Sequence, residues 1–178
     1  MASILIQDAC VLINLAASGR FQEIATQCGF QFAISSIVSK EALFLRDEDS
    51  GERERINLGD FVDRGMLTIL TVQSEAEQLR FIELAMSLDD GEAEAIAIAE
   101  KRKYALATDD RKARNVILRQ GLQVEIWSTC KLIQHWQQKC SISEVEVGIA
   151  LASISSRAKY RPKPGHADCD WWNKLCPK

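Results

Sequence analysis

The sequence predicts an α/β domain of three layers, in which a central, mainly parallel sheet lies between helices on both faces. Short runs rich in β-branched and apolar residues alternate along the chain with segments whose apolar residues have helical spacing. Strands separated by helices are joined in parallel through right-handed crossovers. The predicted strands are residues 3–7, 30–35, 66–72, 104–108 and 122–127.

The helices between these strands carry recognisable start and stop signals. Ser74 and Glu77 form the S-x-x-E pattern of a capping box at a helix start. Gly29 and Gly121 follow the ends of two other periodic segments, where glycine commonly terminates a helix. The predicted helices are residues 9–18, 20–29, 37–48, 74–87, 88–103, 110–120, 129–139 and 142–160.

One of these helices runs into the most charged part of the chain. Ser36 is a candidate N-cap for the helix predicted over residues 37–48, "IVSKEALFLRDE". The following charged stretch, residues 47–55, is expected to form a solvated loop or the start of a helix.

Composition favours a cytoplasmic globular protein. The chain has 178 residues, of which 47% are hydrophobic and 26% charged, and no apolar run approaches the roughly 18 residues of a membrane span. The start, "MASILIQDAC", lacks the features of a signal peptide, so no membrane partner is expected and the six cysteines are expected to be reduced. A net charge of −3 argues against broad coating of nucleic acid.

Four separate segments each place an acid in or beside an apolar run. Asp8 and Asp109 directly follow predicted strands, and the carboxyl ends of neighbouring parallel strands share one edge of a sheet. Glu41 lies within the apolar stretch "SIVSKEALFL", and Asp110 follows Asp109. The helix predicted from residue 88 begins with the acids Asp89, Asp90, Glu92 and Glu94.

Each acid also has a structural interpretation. Asp8 and Asp110 could cap helices, Glu92 could complement a helix dipole, and Glu41 could face solvent. A cluster of acids from four elements would repel itself at neutral pH unless a cation bound there. Oxygen ligands alone favour Mg²⁺ or Mn²⁺ over zinc. Glu92 and Glu94 are two residues apart and point to different faces of the helix, and the sequence leaves open which of them faces such a site.

Four motifs in order resemble the PIN-domain family, the fold of VapC-type toxin ribonucleases. They are "ILIQDACVLINL", "SIVSKEAL", "GEAEAIAIA" and "YALATDDRKAR". The resemblance implies a four-acid centre that uses Mg²⁺ or Mn²⁺ to hydrolyse RNA. It also implies an antitoxin protein as partner and a homodimer. By matching, the catalytic and metal-binding acids are Asp8, Glu41, Glu92 and Asp109, with Glu94 and Asp110 as second choices.

The resemblance also suggests a division of the chain and a group of cations. Residues 1–140 are expected to form the PIN-like nuclease domain, and residues 141–178 a C-terminal helical extension and tail. Arg111, Lys112 and Arg114 follow the acids at 109 and 110, where they are candidates for binding the phosphates of RNA.

Two features keep a second interpretation open. Ala9 and Cys10 follow Asp8, where many relatives carry a hydroxyl residue and then asparagine. A PIN-like module that binds nucleic acid or a protein without cutting is therefore the alternative. Trp171 and Trp172 in the tail are candidates for a docking patch.

Overall fold

The central element of the protein is a parallel five-stranded sheet. A computed structural model describes residues 3–41, 43–47 and 50–177 of the chain. Within these ranges the strand order of the sheet is β5-β2-β1-β6-β7, and every neighbouring pair is parallel. The five strands are β1 (Ser3–Gln7), β2 (Phe30–Ser35), β5 (Thr68–Leu70), β6 (Ala105–Ala107) and β7 (Ile126–Trp127). A separate antiparallel hairpin pairs β3 (Phe44–Arg46) with β4 (Arg53–Arg55).

Helices cover both faces of the sheet. The helices are α1 (Ala9–Ala17), α2 (Phe21–Gln27), α3 (Leu58–Asp63), α4 (Glu75–Ala85), α5 (Asp90–Arg102), α6 (Arg111–Arg119), α7 (Thr129–Cys140), α8 (Glu144–Ser153) and α9 (Cys169–Leu175). Two short turns, a 3-10 turn at Val38–Lys40 and a π-helical turn at Ile154–Ala158, complete the helical segments of the described ranges. No helix in the part of the chain that the structure describes is long and apolar enough to cross a membrane.

Alternation along the strands divides the apolar residues into two cores. Leu5 faces one core together with residues of α1, α2, α7 and α8, whereas its neighbour Ile6 faces the other core with α4, α5 and α6. Successive residues of a strand point to opposite faces, so each strand supplies both cores. The predicted three-layer α/β fold with a mainly parallel sheet is therefore confirmed.

The prediction of a helix over residues 37–48 is wrong. The structure has a 3-10 turn and then strand β3, whose residue Leu45 is buried while Phe44 and Arg46 are exposed, an alternation typical of a strand. The backbone of β3 pairs with β4, so the stretch predicted as a solvated loop or helix start also contributes a strand. The predicted helix includes residues 42 and 48, which lie outside the described residues.

The C-terminal residues pack into the same core as the first helices. Val147, Leu151 and Trp172 are fully buried there, and Trp172 packs edge-on against Tyr160 with ring centroids 5.6 Å apart. The interpretation of Trp172 as part of a docking patch is therefore wrong, because its ring fills the core. The division of the chain at residue 140 stays a prediction.

Candidate active site

The parallel sheet brings the first and last acids of the predicted set to one edge. Strand β1 pairs with β6 so that Gln7 lies opposite Ala107, and the backbone N–H of Asp8 donates to the carbonyl of Ala107 at 3.0 Å. Asp8 comes one residue after Gln7 and Asp109 two residues after Ala107, so both acids follow their strands at the same edge of the sheet. The predicted placement of both acids at the carboxyl ends of adjacent strands agrees with this geometry.

Asp8 is a buried carboxylate with one oxygen unused. Its Oδ1 accepts from the backbone N–H of Val11 at 2.7 Å and caps α1, whereas Oδ2 is buried without a hydrogen-bond partner. The pKa of Asp8 is raised to about 7, mainly by burial and to a smaller extent by the negative charges of Asp109 and Glu92, although hydrogen bonds from Thr108 and Val11 oppose part of the shift. Asp8 therefore caps α1 through one carboxylate oxygen, while its negative charge is destabilised by burial and by the neighbouring acids.

Asp109 is held in place by two helices. Its Oδ1 accepts from the backbone N–H of Thr129 at 3.0 Å, and its Oδ2 accepts from Asn14 Nδ2 at 3.1 Å and from the Thr129 hydroxyl. Asn14 also donates to Thr129 Oγ1 at 3.0 Å. Sequence reasoning missed Asn14 and Thr129, and the available signal was an asparagine inside the apolar helix "ACVLINLAA".

Glu92 and Asp110 lie beside these two acids. Glu92, in the first turn of α5, lines a narrow crevice with Asp8 and Thr108. Its pKa is raised by burial and by the charges of Asp110 and Asp89, while Lys112 opposes the shift. Asp110 caps α6 by accepting from the backbone N–H of Ala113 at 2.8 Å. The capping interpretation of Asp110 is thus part of its role in the structure.

Glu94 has a different environment from Glu92. Its carboxylate is 5% exposed and accepts from the backbone N–H of Ile37 at 2.8 Å and from the Ser36 hydroxyl at 2.9 Å. These bonds tie α5 to the segment that follows β2. The structure therefore places Glu92 beside Asp8 and satisfies Glu94 elsewhere, and Ser36 binds Glu94 instead of capping a helix.

Glu41 lies against the beginning of α5. A Cβ atom at Gly91 would come within 2.9 Å of Glu41 Oε1, so glycine at this position permits the close approach. Burial raises the pKa of Glu41, and the charge of Asp89 adds to the effect. Glu41 is thus electrostatically coupled to the acidic start of α5, on which Glu92 also lies.

The predicted cations occupy the first turn of α6 and the position after it. Arg111 and Lys112 are exposed there, next to Asp110. Arg114 is half-buried and lines a shallow pocket with Trp127, Lys131 and Asp168. Two of the three predicted cations are therefore open to a ligand beside the acids.

The acids at this edge have the oxygen donors that a divalent cation binds, but they are not arranged as a complete ligand set. Across residues 3–41, 43–47 and 50–177, no three His, Cys, Asp or Glu side chains converge as a ready metal-binding group. The buried, unpartnered Oδ2 of Asp8, beside two further carboxylates, nevertheless presents the oxygen ligands that Mg²⁺ and Mn²⁺ prefer. The residues of this edge therefore fit such an ion in the chemical type of their donor atoms.

Comparison with known families identifies the class of protein. A family model described as a PIN domain matches residues 4–158, which is most of the chain. The protein therefore belongs to the PIN-domain family, whose members are typically nucleases that act on nucleic acid and generally use divalent metals. A search of curated proteins finds no match to the chain.

Proposed function

We propose that this protein is a Mg²⁺- or Mn²⁺-dependent endoribonuclease that hydrolyses RNA phosphodiester bonds. The observation that carries the proposal is Asp8, a buried carboxylate with a free oxygen and a pKa raised to about 7 among other acids. A buried group in this state is destabilising unless a cation or a proton neutralises it. A PIN-domain sequence with this feature at the carboxyl edge of its sheet supports a metal-dependent hydrolase.

The four acids have distinct proposed roles. Asp8, Glu92 and Asp109 would hold the ion, with Glu41 as the fourth acid, and Glu94 and Asp110 remain second choices. When bound, the ion supplies a water of lowered pKa and stabilises negative charge on the leaving oxygen. Asn14 and Thr129 orient Asp109 through the hydrogen bonds described above.

The substrate is bound by cations beside the acids. Arg111 and Lys112 are exposed on the first turn of α6, where they would contact phosphates on either side of the scissile bond. Arg114, which is half-buried, would support them from the next turn. Phosphate contacts fix the register of the RNA and carry no base specificity.

The biological role we propose is that of a toxin in a type II toxin–antitoxin pair, acting in the cytoplasm. The order of the four motifs, which resembles VapC-type ribonucleases, supports it. A cognate antitoxin and a homodimer are parts of the same proposal. Helix α4 supports an interface, because Leu79 and Ile82 lie three residues apart on one of its faces and Met86 directly follows its last residue, and these side chains are 56%, 52% and 86% exposed.

Calorimetric titration with Mn²⁺, paired with an RNA-cleavage assay on the same samples, tests the proposal. We expect the wild type to bind Mn²⁺ and cut RNA, and Asp8→Asn to lose both activities. Glu75→Gln, which removes an exposed acid from the first turn of α4, is the charge-matched control and should retain both. A wild type that neither binds Mn²⁺ nor cleaves RNA would refute the proposal.

A second function has its own support. The absence of a preformed group of three ligands among the described residues favours a PIN-like module that binds nucleic acid or a protein without catalysis. RNA binding without Mn²⁺ binding or cleavage would establish this alternative.

A further inference from the structure

The β3–β4 hairpin presents three arginines and a phenylalanine on one face. Residues directly opposite each other in an antiparallel pair share a face, and so do residues two apart in one strand. Phe44 lies opposite Arg55, and Arg46 lies opposite Arg53. All four side chains are exposed and form what we call the hairpin face. Leu45 points the other way into the core.

Three arginines, Arg46, Arg53 and Arg55, are the source of positive charge on the hairpin face. Among the described residues, no salt bridge involves Arg46, Arg53 or Arg55. Glu54 projects from the opposite face and pairs with Arg157 at 2.9 Å. The three arginines therefore give this one face of the hairpin a basic surface, although residues 44–55 as a whole carry five acids.

The aromatic ring is part of this basic surface. The guanidinium carbon of Arg53 lies 5.7 Å from the centre of the Phe44 ring, which is 37% exposed. An exposed ring beside arginines can stack on a nucleobase while the guanidinium groups contact phosphates. An acidic protein surface would bind through the arginines alone and would make no use of the ring. The exposed ring therefore favours a nucleic acid as the ligand.

Two clefts connect the hairpin face with the rest of the molecule. One has a volume of about 500 Å³ and is lined by both Arg55 and the candidate catalytic acid Glu41. The second, of about 380 Å³, is lined by Phe44, Arg46 and Arg53 and extends to Lys159. A strand of nucleic acid lying along the hairpin face would therefore reach the acidic edge of the sheet through the first cleft.

We propose that the hairpin face binds single-stranded RNA and directs it towards the acids. The proposal rests on the proposed ribonuclease function and extends its substrate site beyond the first turn of α6. Phe44 stacks on an unpaired base, and Arg53 and Arg55 contact phosphates. A paired base would be buried in a duplex and out of reach of the ring, so the hairpin face is suited to a single strand.

Binding in the absence of metal tests the hairpin face separately from catalysis. The probe is a fluorescent oligouridylate with 2′-O-methyl groups, whose anisotropy is measured in EDTA over a series of NaCl concentrations. Arg53→Gln with Arg55→Gln should weaken binding about tenfold or more and reduce the slope of log K against log salt by about 1.4. Phe44→Ala should weaken binding roughly tenfold with the slope unchanged.

A matched control removes two exposed cations from the opposite edge of the sheet. Lys103 and Arg119 lie at the C-terminal ends of α5 and α6, so Lys103→Gln with Arg119→Gln should leave the affinity unchanged. Thermal unfolding by circular dichroism verifies that each variant is folded. If the double arginine variant does not fold, Arg55→Gln and Phe44→Ala carry the test.

The outcomes distinguish this inference from the proposed function. Affinity and salt slope that match the wild type in both hairpin variants would overturn the inference, and so would polyglutamate that displaces the RNA at equal charge concentration. If the wild type does not cleave RNA, only the proposed nuclease function is refuted, because RNA binding in EDTA does not depend on catalysis. With active wild type, the hairpin variants should raise KM and leave kcat unchanged.

Discussion

The pKa values of two buried acids, one near each end of α5, are shifted in opposite directions. At the C-terminal end, Arg102 Nε donates to Glu77 of α4 at 2.7 Å, and this bond is the largest of the effects that lower the pKa of Glu77 to about 2. At the N-terminal end, Asp8 lies beside the acids Asp109 and Glu92, and its pKa is raised to about 7, mainly by burial. Both residues are only 4% exposed. Burial raises the pKa of both groups, but the hydrogen bonds that Glu77 accepts, above all from Arg102, outweigh it, whereas those that Asp8 accepts do not. A cationic hydrogen-bond donor therefore separates the structural acid from the candidate catalytic one.

Neutralising Asp8 should give the largest change in stability, and in an unexpected direction. Because the folded pKa is raised above the ordinary value of 3.8, the folded state binds more protons than the unfolded state between about pH 4 and pH 7. Stability of the metal-free wild type should therefore fall as the pH rises through this window. Asp8→Asn should be more stable at pH 8 by up to about 4 kcal/mol.

Urea unfolding in EDTA at pH 5 and pH 8 measures this effect. Asparagine keeps an oxygen that can accept from Val11, so the cap of α1 is retained. Equal free energies of unfolding for wild type and variant at pH 8 would show that the negative charge of Asp8 does not destabilise the folded protein.

Removing the charge of Glu77 should have the reverse effect. Glu77→Gln leaves Arg102 without its buried partner and should lower the free energy of unfolding by about 3 kcal/mol at pH 7. Since the folded pKa is lowered, this stabilisation is present above the ordinary value of 4.5 and is lost as the pH falls towards 2. Glu75→Gln is the exposed control, and Mn²⁺ affinity should be unchanged in both. A shift in Mn²⁺ affinity would mean that the two ends of α5 are coupled.

Glu92 and Glu94 extend the comparison within the first turns of α5. Glu94→Gln weakens bonds to Ser36 and Ile37 and should cost about 2 kcal/mol of stability while Mn²⁺ binding persists. Glu92→Gln should abolish Mn²⁺ binding with little loss of stability, because a raised pKa marks a charge that the fold disfavours. Unfolding and calorimetry on both variants measure the difference. The opposite pattern would make Glu94 the third acid.

The smallest effect is expected from the group that orients Asp109. Thr129→Val removes the hydroxyl that donates to Asp109 while keeping the side-chain shape, and kcat should fall roughly tenfold. Thr129→Ser retains the hydroxyl and should cleave RNA at nearly the wild-type rate. Steady-state cleavage with saturating Mn²⁺ measures both, and equal rates for valine and serine would show that the hydroxyl is dispensable.

Local signals in the sequence predicted much of the framework. The capping box of Ser74 and Glu77 is present as expected, because it involves groups only three residues apart. Asp8 and Asp109 were predicted at strand ends from periodicity alone. The segment after Ser36 was mispredicted because apolar residues over a short stretch fit a helix or a strand, and pairing with β4 decided the outcome.

Periodicity, turn residues and the acids that follow strands determined the α/β class, the order of its elements and the edge at which a site could form. These features depend on neighbours along the chain, so the sequence by itself contains them. The tertiary structure decided which glutamate lies beside Asp8, how Asn14 and Thr129 hold Asp109, and that a basic hairpin face adjoins Glu41. Those outcomes depend on contacts between residues far apart in sequence, where packing overrides local preference.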